Sequence, residues 1–238
     1  MQIVTLSLYR FAGLRRAWVL GQMALSRPGL ARMPGLGFWK LCGSGTGEGF
    51  TPRPNWAVWA ILAVWRDAQA ARAGLDGAGA FRRWRRHAAE SATFHLQPLS
   101  VRGHWSGTQP FAEPPSPVAS PGTPLAALTR ATVRPGRALR FWGRVPDISA
   151  RIGADPNVRF KIGIGEVPFL HQVTFSIWPD AAAMAAFART GPHADAIRAV
   201  RNEGWFDEEL YARFAVLGAE GRWQGARPLA CTTEKEAA

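Results

Sequence analysis

The stretch Pro34–Trp65, PGLGFWKLCGSGTGEGFTPRPNWAVWAILAVW, holds two apolar runs separated by a turn-rich segment. Gly37–Cys42 and Trp56–Trp65 are dense in tryptophan and bulky aliphatics. Between them, Gly43–Pro54 is mostly Gly, Ser, Thr and Pro. Physically this is strand, long loop, strand. The apolar run Trp56–Trp65 is too short to span a ~30 Å hydrocarbon core, which takes about 20 residues as helix. It therefore belongs to a packed sheet, and the flanking chain must supply the layers that cover it.

Working outward, Gln2–Phe11 is rich in Ile, Val, Leu, Thr and Tyr and predicts a strand. Leu14–Leu25 predicts a helix that buries Leu14, Ala17, Trp18, Gly21 and Leu25, and Pro28 ends it. Asp67 predicts an N-cap for a helix through Ala73, Phe81–Glu90 a second helix, and Ala92–Trp105 a strand. Ser106–Thr123 carries Pro110, Pro114, Pro115, Pro117 and Pro121 and reads as a linker with polyproline character. Beyond it the pattern restarts. Leu125–Val133 is a strand and Arg137–Ile152 mostly helix, followed by strands at Val158–Glu166 and Leu170–Trp178. Asp180 caps a helix to Phe187, Pro192 opens another to about Asn202, and Leu210–Ala219 is the last strand.

Landmarks recur in the same order. Trp65-x-Asp67-Ala68 matches Trp178-x-Asp180-Ala181. Phe81 with His87-Ala88 matches Phe187 with His193-Ala194. Gly103-x-Trp105-x-Gly107 matches Gly221-x-Trp223-x-Gly225. The expected fold class is α+β, a tandem duplication of a ferredoxin-like β-α-β-β-α-β unit. Residues 1–107 form the first half, 108–123 the linker, 124–225 the second half and 226–238 a tail. Packing the two bare sheet faces together gives an α+β barrel with a cavity between the sheets or between sheet and helix.

At 47% hydrophobic and 19% charged residues the chain is globular and not disordered. A net charge of +12 favours an anionic partner: nucleic acid, a lipid surface or an acidic protein. Lys40, Lys161 and Lys235 are the only lysines; arginine supplies the rest. Cys42 and Cys231 match no metal or redox spacing, which argues against iron–sulfur or thiolate-ligated centres. No secretory leader is visible, so the expected location is cytoplasmic, at most peripheral on a membrane.

Several stretches invite a site. Gly43–Gly49, GSGTGEG, lacks the spacing and following helix of a phosphate cradle; a flap over a pocket or a plain hairpin are the open readings. The histidines His87, His95, His104, His171 and His193 make no paired metal motif. A single His suffices for haem. His193 fits that role best, in a first helical turn with Ile197 and Val200 on its face; His87 and His171 are its rivals. Arg82-Arg83-Trp84-Arg85-Arg86 interleaves bases with an aromatic, as nucleic-acid sites do; on a helix the arginines radiate around the surface, so a solvated helix or docking of an acidic redox protein or lipid headgroups are the stronger readings.

The combination PGLGFWKLCGSGTGEGFTPRP followed by N-x-AVWAIL (Asn55, Ala57–Leu62) resembles the spheroidene monooxygenase family, the acyclic carotenoid 2-ketolases. Weaker likeness extends through Lys161–Trp178 and Pro192–Trp223. The resemblance implies a haem protein that oxygenates acyclic carotenoids at the 2-position to the ketone, with O2 and reduced ferredoxin. Eleven Trp and thirteen Phe suit an apolar cleft for a polyene, and the positive charge suits docking of an acidic ferredoxin or an anionic membrane surface. Given haem, His193 is the axial ligand by analogy with related folds. A cofactorless monooxygenase on the same fold is a second possibility. A third is a basic module without catalysis that binds lipid or nucleic acid; scarce lysine and the lack of any recognised nucleic-acid motif weigh against the latter.

Overall fold

The computed structural model describes residues 1–47, 51–77, 79–113, 122–143, 157–189 and 204–229. Eight strands close into one antiparallel barrel in the order β1-β3-β2-β6-β7-β5-β8-β4. They are β1 (Ile3–Arg10), β2 (Leu36–Gly45), β3 (Pro54–Trp65), β4 (Glu90–Gly103), β5 (Leu125–Val133), β6 (Phe160–Gly165), β7 (His171–Trp178) and β8 (Phe206–Gly221). Helices α1 (Arg15–Leu25), α2 (Arg27–Ala31), α3 (Ala68–Asp76) and α4 (Ala80–His87) precede β4. A 3-10 turn at Pro135–Arg137 leads into a helical segment at 138–143, and α5 (Ala181–Arg189) follows β7. Within each half the strands take the same spatial order, β4-β1-β3-β2 and β8-β5-β7-β6.

The AVWAILAVW run of β3 is buried from Val58 to Trp65 because both of its faces are covered. Val58, Ala60, Leu62 and Val64 point into the barrel, while Trp59, Ile61, Ala63 and Trp65 point out beneath the helices. A strand covered on both sides loses polar alternation and becomes a continuous apolar run. At about 1.5–3 kcal/mol for each large apolar side chain removed from water, β3 is a main contributor to the fold.

Among the described residues, large apolar side chains of both halves pack against one another in the barrel interior. Phe94, Phe160 and Phe175 meet with ring centroids 4.7–6.2 Å apart, and Phe214 packs on Phe111 at 5.1 Å. An eight-stranded barrel is narrow enough for side chains such as these to fill it.

Helix α1 lies where expected but rotated. Val19, Gln22 and the capping Ser26 face the protein, whereas Leu14 and Leu25 are 91% and 69% exposed. The reason is a polar tether that the hydrophobic pattern does not contain. Ser26 Oγ accepts from Trp84 Nε1 at 3.0 Å, and Trp18 stacks flat on His87 at 4.1 Å. Pro28 does not end helical structure; it occupies the first turn of α2, where its missing N–H costs nothing.

Two repeat landmarks have matching local structure. Asp67 Oδ1 accepts from Ala70 N and Asp180 Oδ1 from Ala183 N, each at 2.8 Å, capping α3 and α5. Trp105 and Trp223 both sit in turns with positive φ at the flanking positions: Gly103, Ser106 and Gly107 in one, Gly221, Gln224 and Gly225 in the other. The third pairing fails. Phe187 lies on α5, seven residues past its cap, where α3 has Gly74, while Phe81 lies on α4. Both phenylalanines contact their tryptophan, Trp65–Phe81 at 5.5 Å and Trp178–Phe187 at 5.0 Å, from different elements.

Candidate active site

The two halves meet at two seams. Strands β4 and β8 pair from Ala92↔Gly221 to Gly103↔Leu210, with Pro98 accommodated at a register shift where a ladder N–H is not required. Strands β2 and β6 pair only at Gly43↔Gly165 and Ser44↔Ile164, supplemented by Ser44 Oγ donating to the Gly163 carbonyl at 2.8 Å. Over this short seam lies an open cleft of about 190 Å³, smaller than the ~300–1,000 Å³ of a site that encloses a whole drug-sized ligand and suited to one end of a longer molecule. Its walls are Trp56, Trp59, Trp142 and Phe169, with Met23 of α1 on one side. Thr51, Pro52 and Pro54 of the glycine-rich β2–β3 loop also line it, so that loop borders a pocket as the flap reading required. Its residues 48–50 lie outside the described residues.

Gly165 makes the floor possible, since a Cβ there would collide with the His171 carbonyl; one on Gly43 would only rest on the Trp59 ring at 3.5 Å. Phe169 takes φ +68° although it is bulky, half exposed and at the rim. Trp142 Nε1 donates to its carbonyl at 3.0 Å and helps hold that conformation. Such backbone is costly for an aromatic residue and gathers at functional sites.

Glu166 is the one described carboxylate in the cleft lining, and it also enters a cluster at this end of the barrel. Lys40 Nζ lies 2.7 Å from Glu166 Oε1 and 2.6 Å from Ser106 Oγ. Trp105 Nε1 donates to Glu166 Oε2 at 2.8 Å. Arg130, only 1% exposed, bonds Glu208 through NH1 and reaches Glu166 Oε2 at 3.9 Å through NH2. Glu208 also accepts from Ser106 N and Gly107 N at 3.0 and 2.7 Å. Burial alone would raise its carboxyl pKa, but those backbone donors and Arg130 outweigh burial and hold it below the usual carboxylate range. A matching arrangement stands at the opposite end. Glu90 accepts from Gly225 N at 2.7 Å, pairs with Arg10 at 3.1 Å, and Arg10 lies over Trp223. Each tryptophan turn is thus tied by the acid that opens the last strand of the other half.

The predicted histidines scatter. His171 sits at the start of β7, in the register that points Val173 and Phe175 into the barrel. Its Nδ1 makes no hydrogen bond and lies 3.6 Å from Glu166 Oε2. Burial lowers its pKa, with Arg130 and Lys40 adding to the effect against Glu166 and Glu208. His87 stacks on Trp18, and its Nδ1 bonds the Arg83 carbonyl at 2.9 Å. His95 lies 3.3 Å from Glu220, and His104 is exposed. None of these four lines the cleft. His193 lies outside the described residues. Cys42 is fully buried, and burial pushes its thiol far up, so no thiolate forms there. Among the described residues no group of three or more His, Cys, Asp and Glu gathers to hold a metal ion. The aromatic walls therefore suit a flat apolar group, while the described residues supply no histidine ligand to it. Arg82, Arg83, Arg85 and Arg86 are exposed around buried Trp84, the solvated-helix arrangement.

Sequence reasoning missed Glu166, Arg130 and Glu208. No local pattern marks them, because they converge from β5, the β6–β7 turn and β8.

The fold is similar to that of two solved aldoxime dehydratases. One, solved with butyraldoxime, matches 96% of this chain and 84% of its own at TM-score 0.63 and 10% identity. Another matches 90% of this chain and 81% of its own at TM-score 0.58 and 12% identity. No protein-family model matches the chain. Spheroidene monooxygenase of Rhodobacter capsulatus is 56% identical over 97% of this chain and 96% of its own length. That of Cereibacter sphaeroides is 56% identical over 96% and 71%, and that of Rubrivivax gelatinosus 36% identical over 94% and 86%. The chain belongs to the spheroidene monooxygenase family.

Proposed function

We propose that the protein oxygenates acyclic carotenoids, spheroidene among them, at the 2-position to give the ketone, with haem as cofactor and reduced ferredoxin as electron donor. The observation that carries this reading is the tryptophan-walled cleft at the β2–β6 seam, in a chain 56% identical to named spheroidene monooxygenases. An apolar polyene needs a dry apolar slot, and the 2-position lies next to its chain end. The terminal segment then enters between Trp56, Trp59 and Phe169, and the remaining chain leaves across the rim.

Haem, when bound, supplies the activation of dioxygen. His193 would hold it. The chain's own residues exclude water, fix the substrate register and deliver protons. Placing one atom of O2 in a C–H bond and reducing the other to water consumes two electrons and two protons. Glu166 touches both the cleft and His171, whose ring is partly exposed at the barrel end. Glu166 is the carboxylate placed to hand protons to the cleft, and a single water bridging its 3.6 Å gap to His171 would connect it to the barrel end. A second round at the same carbon gives a geminal diol, which loses water to the ketone. Acidic ferredoxin is attracted by the net charge of +12.

The identical strand order of the halves and the reciprocal ties, Gly107 N to Glu208 and Gly225 N to Glu90, support an origin by tandem duplication. In that reading 1–107 and 124–225 are the copies, 108–123 the linker and 226–238 the tail. Among the described residues no helix is long and apolar enough to cross a membrane; a substrate dissolved in lipid brings the protein to a membrane surface instead.

Purified protein with spheroidene, ferredoxin and its reductase should form the 2-ketone and show a Soret band that His193→Ala shifts or removes. Iron-free protein that still makes the ketone points to a cofactorless oxygenase. Holo protein that leaves spheroidene unchanged refutes the substrate.

A further inference from the structure

Among the described residues the outward face of α1 has no partner. Leu14, Ala17, Gly21, Ala24 and Leu25 recur at i, i+3, i+7, i+10 and i+11, which is one stripe of a 3.6-residue helix. All five are exposed, Leu20 is exposed on the stripe's flank, and the inward side is taken by Val19, Gln22 and Ser26. A water-facing helix normally shows the reverse pattern, with polar groups outward.

The charge around the stripe has one sign. Arg15, Arg16, Arg27 and Arg32 are exposed on or beside α1 and α2. From Met1 to Arg66 the sole acidic residue is Glu48, against Arg10, Arg15, Arg16, Arg27, Arg32, Lys40, Arg53 and Arg66. An apolar helix face flanked only by arginines is the pattern of a helix lying in the plane of an anionic lipid surface. Met23 of the same helix lines the cleft, and Trp56, 53% exposed, stands at its rim. Tryptophan is favoured at the membrane–water boundary.

We propose that α1 docks in-plane on an anionic bilayer, its Leu14–Leu25 stripe at the acyl boundary and its arginines on headgroup phosphates, so that the adjoining cleft takes polyene substrate directly from lipid. This rests on the carotenoid reading above for its purpose but not for its physics. A second copy of the chain could cover the same stripe, yet like-charged arginines on both copies oppose that pairing.

The test is co-sedimentation of holo protein with phosphatidylglycerol and with phosphatidylcholine vesicles. Sedimentation equilibrium runs alongside, and turnover is measured on spheroidene dispersed in detergent. Strong binding to phosphatidylglycerol, weak binding to phosphatidylcholine, and loss of more than about tenfold in Leu14→Glu/Leu25→Glu are expected. Arg15→Gln should cost about fivefold. Because these side chains are exposed, the variants should keep wild-type circular dichroism and detergent turnover. Absence of phosphatidylglycerol binding by the parent, or undiminished binding by the double variant, overturns the proposal. So does a parent dimer that the double variant converts to monomer. Vesicle binding by a parent that turns over no carotenoid in detergent upholds the docking and refutes the oxygenase reading alone.

Discussion

The two seams of the barrel are built for different ends. The β4–β8 seam runs from Ala92 to Gly103 along two long strands, and both of its ends are locked by a tryptophan turn and an acid. The β2–β6 seam has two paired positions, glycine on both sides, and a cleft above it. Pairing many residues fixes the barrel; pairing few leaves backbone approachable and room for a ligand. The difference teaches that the halves share a strand order while the cleft falls where they differ most, at the loop that is long in one half and short in the other.

The largest expected effect strikes the interior that both seams enclose. Phe94 on β4 packs on Phe160 and Phe175 of the other half. Phe94→Ala should cost about 3–5 kcal/mol, read as a lowered urea midpoint. A cost below 1 kcal/mol would mean the interior does not join the halves.

The two acid–arginine ties should differ next. Arg130→Ala removes a fully buried guanidinium and leaves part-buried Glu208 with its two backbone donors alone, and should cost about 1.5–3 kcal/mol. Arg10→Ala breaks a more exposed pair at the opposite end and should cost less than about 1 kcal/mol. Equal losses would show the two ends to be energetically alike.

Trp56→Ala sharpens the contrast at the short seam. Half exposed, it should change stability by only about 0.5 kcal/mol, while KM for the carotenoid rises several-fold. Unchanged KM would remove Trp56 from the substrate path.

The smallest effect is on pH dependence. His171 is lowered in the folded state, so the unfolded chain binds the proton more readily. Its contribution is fully present above the ordinary histidine value of about 6.5 and is lost as pH falls below it. Stability measured from pH 7.5 to 5 should drop less in His171→Gln than in the parent. Identical slopes would assign the acid sensitivity to other groups.

Much of this was legible from residues in order. The Trp56–Trp65 run, the Asp67 and Asp180 caps and the Gly-x-Trp-x-Gly turns are local signals, and local signals survive without coordinates. The inward face of α1 was not legible, because apolar residues lie on both of its sides and the Ser26–Trp84 bond chooses between them. Phe187 resembled Phe81 in order but occupies the place of Gly74. The reason is spatial: Phe81 reaches Trp65 from the following helix, and a side chain at Gly74 would strike the Trp65 ring.

The sequence by itself determined the strands, their doubled order, the excess of positive charge and the family, since periodicity, caps and identity are properties of neighbouring residues. Only the tertiary structure decided that side chains of both halves pack together in the barrel interior, that the cleft lies outside it at the β2–β6 seam, and that Lys40, Arg130, Glu166, Glu208 and His171 meet. Those facts depend on strands far apart in the chain closing a ring. Ring closure is set by packing volume and by polar partners distant in sequence, which no local pattern encodes.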